Sequence, residues 1–105
     1  MVMVREETGG PDAPVARRLQ LLRQCFTGDN GAEFARRYAR ITPNRWNNFE
    51  RGYPLSKDVA FNLVRWIPGL SLDWLWHGER RGLTFDLVAR LDEMEATLER
   101  NRRPS

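Results

Sequence analysis

Five side chains within eight residues set the chemistry open to this chain: Asn44, Arg45, Asn47, Asn48 and Arg51. All are forked or long hydrogen-bonding groups, and none is negative. Such groups suit base edges and phosphates. An asparagine amide pairs bidentately with adenine N6/N7, and an arginine fork takes guanine O6/N7. Enzyme chemistry has no comparable support. His77 is the sole histidine and Cys25 the sole cysteine; metal-ligand spacings, phosphate-cradling glycine loops and a placed acid pair are all missing. The expectation is a protein with no catalytic residues, metal or cofactor. His77 reads as the end of a helix. Cys25 reads as a small core residue with no disulfide partner in the chain.

A helix must present those polar groups. Thr42 suits its N-cap, and Pro43 suits the first helical position, where a missing N–H costs nothing. Trp46 and Phe49, three apart, give it an inner face over Pro43 to Arg51, and Gly52 supplies a left-handed C-cap. A second helix precedes it. Asn30 stands as N-cap with Glu33 three residues later, as in a capping box. Phe34, Ala35 and Tyr38 form one apolar stripe. Gly31 to Gly52 therefore reads as two short helices joined by a tight turn, burying Phe34, Ala35, Tyr38, Ile41, Trp46 and Phe49. The small Ala35 lets the helices approach closely.

This pattern resembles the helix-turn-helix of the phage repressor and Cro type, the XRE family. The likeness is densest over Ile41-Thr-Pro-Asn-Arg-Trp-Asn-Asn-Phe-Glu-Arg-Gly52 and returns at Gly69-Leu-Ser-Leu-Asp-Trp-Leu-Trp-His-Gly78. It spans about Leu19 to Gly78. Two departures stand out. The family usually has a glycine directly before the Ile41 position, whereas the turn here is Ala39-Arg40-Ile41, one residue longer. Either the first helix runs further or Arg40 bulges. The family also often opens this helix with a glutamine that clamps DNA. Gly31 stands there instead, which loses the contact or reduces it to a backbone N–H. The resemblance implies an all-α, five-helix phage-repressor-like domain. It further implies base reading by Pro43, Asn44 and Asn48, with Arg45 and Asn47 beside them, and phosphate contacts from Thr42, Arg51 and Lys57. Arg36 and Arg40 are outlying electrostatic candidates. The competing account of this face is a polar surface on a purely structural core.

Three segments follow from the remaining pattern: a flexible arm over 1–11, the helix-turn-helix domain over 12–78, and a linker with an additional C-terminal helix over 79–105 that ends in a frayed tail from Asn101 to Ser105. In the domain, Leu19, Leu22 and Phe26 give a first helix from Asp12 and Pro14 to about Phe26. Its Arg17, Arg18 and Arg23 read as a solvated face, with Arg17 or Arg18 able to touch a phosphate. Ser56 reads as the cap of a helix carrying Val59, Ala60, Leu63, Val64 and Ile67, stopped by Pro68-Gly69. Ser71 opens another, in which Trp74 and Leu75 read as core. In the C-terminal helix, Thr84, Leu87, Leu91, Met94 and Leu98 form an apolar seam widened by Phe85 and Val88. A lone helix of this kind is marginal in water. Three fates are open to it: folding back on its own domain, homodimerising, or binding a different partner protein.

Charge is uneven. From Arg17 to Arg65 there are ten Lys/Arg against four Asp/Glu, a net +6; from Leu83 to Ser105 there are four against five, a net −1. The basic excess lies where a nucleic-acid footprint belongs. Sixteen of seventeen basic residues are arginine, which suggests a GC-rich bacterial or phage genome. Apolar runs fall short of a membrane span, so a cytoplasmic protein is expected. The functional expectation is a DNA-binding transcription regulator on double-stranded DNA. A homodimer on a two-fold operator, repressing by occlusion, is its natural form. The alternative is an antitoxin-like or anti-activator module that grips a protein through the last helix.

Overall fold

The computed structural model describes residues 13–102. The arm expected over 1–11 and residues 103–105 of the expected tail lie outside this range, whereas Asn101 and Arg102 continue the last helix. Every regular element among the described residues is helical: α1 (Ala13–Thr27), α2 (Gly31–Phe34) running on into a π-helical segment (Ala35–Ala39), α3 (Pro43–Glu50), α4 (Lys57–Trp66), α5 (Leu72–His77) and α6 (Phe85–Arg102).

In α1 the buried residues are Val15, Ala16, Leu19 and Leu22, the spacing of one helix face. The capping box expected at α2 forms in one direction only. The Asn30 side chain accepts from the Glu33 N–H at 2.9 Å, whereas the Glu33 carboxylate turns to Arg37 and the Asn30 N–H goes to the Thr27 carbonyl.

The long turn resolves in both of the ways the sequence left open. The helix does run further, because its last turn widens to the π form. Arg40 then leaves it at φ 61°, ψ 42°, the left-handed conformation a glycine would take without strain. The Ala35 carbonyl accepts from both the Arg40 and Ile41 N–H groups, so the wider turn absorbs the extra residue. The buried methyls of Ala35 and Ala39 sit in this segment, on which α4 packs with Val59, Ala60 and Leu63. Asn62 of α4 donates to the Ala39 carbonyl at 2.9 Å, closing the frayed end.

Thr42 caps α3 as expected, its hydroxyl accepting from the Arg45 N–H, and Trp46 and Phe49 point inward. Phe26, Tyr38, Phe34 and Trp46 form a chain of tilted rings with centroids 4.7–5.3 Å apart. Ser71 caps α5, and Trp74 and Leu75 are buried. Gly69 is required where it stands: its φ is +86°, and a Cβ there would lie 2.2 Å from the Thr84 hydroxyl.

Of the three fates open to the C-terminal helix, folding back is the one seen. It packs along α1. Leu87 and Leu91 are only 3% and 2% exposed and belong to the same core as α1. Met94 and Leu98 are half-buried farther along. The proposed dimer seam of Leu87, Leu91, Met94 and Leu98 is therefore spent at its first half on the chain itself. Phe85 does not widen it; at 87% exposure it faces solvent. Arg90 fastens the helix, donating to the Cys25 carbonyl at 2.7 Å with its guanidinium 4.3 Å from the Phe26 ring centre. Among the described residues no helix is long and apolar enough to cross a membrane.

Candidate nucleic-acid interface

The outward side of α3 carries Asn44, Arg45 and Asn47 exposed, with Asn48 and Pro43 half-covered. Its only acid is Glu50, which is turned inward. The Glu50 carboxylate takes a bidentate pair from Arg23 of α1 at 2.6 and 3.0 Å and accepts from the Trp46 indole N–H. Arg23 is completed by the Gly28 carbonyl at 2.7 Å. With side chains 16% and 11% exposed, this pair is a strut between α1 and α3. Arg23 is thus not on a solvated face. Nor is Arg18, whose Nε donates to the Leu75 carbonyl at the end of α5 and whose burial lowers its pKa. Arg17 remains exposed.

Beside α3 lies a cleft of about 510 Å³ lined in part by Asp29, Gly31, Ala32, Pro43, Asn44 and Asn47. It separates the start of α2 from the flank of α3. The Gly31 N–H, which could have stood in for a glutamine clamp, already donates to the Asp29 carbonyl at 3.0 Å. The surviving contact the sequence suggested is therefore taken.

The phosphate candidates surround α3. Thr42 is exposed; its oxygen caps the helix, and its own O–H is left to donate outward. Arg36, Arg40, Arg51 and Lys57 are exposed, and none has a carboxylate within salt-bridge distance among the described residues. Arg40 lies 4.8 Å over Trp66 and Arg51 5.9 Å over Tyr53. Those two rings, exposed for large apolar groups, act as shelves for guanidinium groups. Arg51 also donates to the Asn48 amide oxygen at 3.1 Å, which ties down one base-reading candidate.

Ser56 departs most from expectation. It precedes α4 in the extended conformation of an N-cap, but its side chain makes no cap bond. Its oxygen accepts instead from Arg45 Nη2 at 3.1 Å. The same Nη2 lies 3.5 Å from Asp58 Oδ1. The Ser56 hydroxyl chiefly holds the Asp58 carboxyl below its ordinary value; desolvation opposes it, and the Arg45 charge and N–H groups of the first turn of α4 add smaller downward pulls. Sequence reasoning missed Ser56, Asp58, Tyr53 and Trp66 as parts of this surface. No local signal marks Ser56, Asp58 and Trp66, because each joins α3 or the turn only through tertiary packing; Tyr53 lies two residues from Arg51 and was within local reach.

Among the described residues no group of three or more His, Cys, Asp or Glu is placed to hold a metal. Comparisons with protein-family models, with curated proteins and with solved structures return no significant match.

Proposed function

We propose that this chain is a sequence-specific DNA-binding transcription regulator, in which α2, its π-helical end and α3 serve as a phage-repressor-type helix-turn-helix. The observation that carries this is the outer row of α3. It holds three amides and a guanidinium, its one carboxylate is folded away against Arg23, and four cations ring it. The inward turn of Glu50 struts α1 to α3 and also leaves the outer row without a negative charge. A row without a carboxylate suits a helix entering the major groove, where an acid facing phosphates would be repelled. In this reading Asn44, Arg45, Asn47 and Asn48 read bases with Pro43 at the helix tip, and Thr42, Arg36, Arg40, Arg51 and Lys57 hold the backbone.

One such domain offers few base contacts. Two copies on a two-fold operator, with half-sites about one helical turn apart, are the natural arrangement, and repression by occlusion is its simplest outcome. Contact between copies needs a surface other than Leu87 and Leu91, which are core residues here. The same holds for a partner protein gripping α6.

The test is binding of the full chain to duplexes enriched from a random pool, across a salt series. Four cations at phosphates give a slope of log affinity against log salt of about −3 to −4. Binding that is absent at the lowest salt, or indifferent to salt, would sink the proposal.

A further inference from the structure

Arg45 is held before any DNA arrives. Its Nη2 donates to Ser56 Oγ at 3.1 Å and lies 3.5 Å from Asp58 Oδ1, and its guanidinium carbon is 5.7 Å from the Phe49 ring centre. Both polar contacts use the same nitrogen. The Nε–H and the two Nη1 hydrogens have no partner among the described residues, so donors remain for a base edge. Ser56 gives up an N-cap bond for this arrangement, although such a bond ordinarily stabilises a helix start.

We infer that Asp58 and Ser56 are positioning residues that orient Arg45 for guanine, and so set specificity at one base rather than affinity. This rests on the DNA-reading role proposed above. An unsupported arginine samples many rotamers and loses that freedom on binding. One braced by a carboxylate and a hydroxyl presents its fork already aimed. Asp58 would be a poor choice for affinity, because its charge stands at the rim of a surface meant for phosphates and repels them. Its removal therefore moves two quantities in opposite directions. Binding to arbitrary duplex tightens, while preference for guanine weakens. A residue that only stabilised the fold would change neither in that way.

The experiment enriches a duplex with the wild-type full chain, then replaces each guanine in turn by 7-deazaguanine, which lacks the N7 acceptor. Wild type, Arg45→Ala, Ser56→Ala, Asp58→Ala and Asp58→Asn are compared, with thermal melts confirming that each is folded. One guanine should cost the wild type roughly tenfold when replaced, in line with a bidentate base contact. Arg45→Ala should abolish that penalty. Asp58→Ala should cut it severalfold while binding random duplex more tightly, and Ser56→Ala and Asp58→Asn should fall between. Full retention of the penalty in Asp58→Ala overturns the inference and leaves DNA reading intact. So does an enriched duplex with no guanine that depends on Arg45. Failure of the wild type to enrich any duplex overturns both.

Discussion

Arg40 carries a conformational cost that its neighbours do not. A β-carbon in the left-handed region is unfavourable by about 1–2 kcal/mol, and Arg40 sits there at φ 61°. Its stack on Trp66 offsets part of this. Two substitutions separate the effects. Arg40→Gly and Arg40→Ala both lose the stack, but only alanine keeps the β-carbon. Arg40→Gly should be the more stable of the two by about 1 kcal/mol in denaturant unfolding; equal stabilities would mean that the turn is not held as described. Cys25 gives a second residue-scale expectation. Burial raises its pKa, with Arg90 opposing, so the group stays a thiol at neutral pH. Alkylation should be slower in the native chain than in denaturant, where the thiol titrates normally. Equal rates would contradict the packing of α6 over it.

The pairing of elements depends on few contacts, and their worth differs widely. Arg23 and Glu50 join α1 to α3 with little exposure, and removing one partner strands the other in a poorly hydrated place. Glu50→Ala should cost about 3–5 kcal/mol. Glu33→Ala, which breaks the solvent-screened pair with Arg37, should leave the melt nearly unchanged. Thermal melts of the two variants check the contrast. The same division between local and tertiary explains what could be seen beforehand. Thr42, Pro43, Ser71 and the Trp46–Phe49 spacing announced their helices because caps and faces are written within a few residues. The diverted hydroxyl of Ser56, the Arg18 contact with α5 and the inward turn of Glu50 were not visible, since each is settled by a residue of another helix: Arg45, Leu75 and Arg23. The π-helical end belongs with these: its sequence, Ala-Arg-Arg-Tyr-Ala, is unremarkable for an α-helix, and only the length of the turn hinted at it.

At the scale of the whole molecule, α6 is part of the core. Leu87→Ala should cost about 2–5 kcal/mol, as other large-to-small core changes do. A chain ending at Gly82 would lose Leu83, Leu87 and Leu91 together and should melt well below the full chain. A truncated chain as stable as the whole would show that the helix is only resting there. The all-helical architecture was legible from apolar spacing alone; the destination of its last helix was not, because an apolar seam fits the chain's own α1 and a foreign surface equally well. The π-helical segment has a consequence for aligning this chain with others. It holds one residue more than an α-helical path between the same ends. Alignment with any chain whose corresponding helix is α throughout needs a single-residue gap between Ala35 and Arg40. Placed without that gap, residues on one side would be matched to the neighbours of their true counterparts, rotated by about 100° around the axis, and an inward position such as Phe34 would be scored against an outward one.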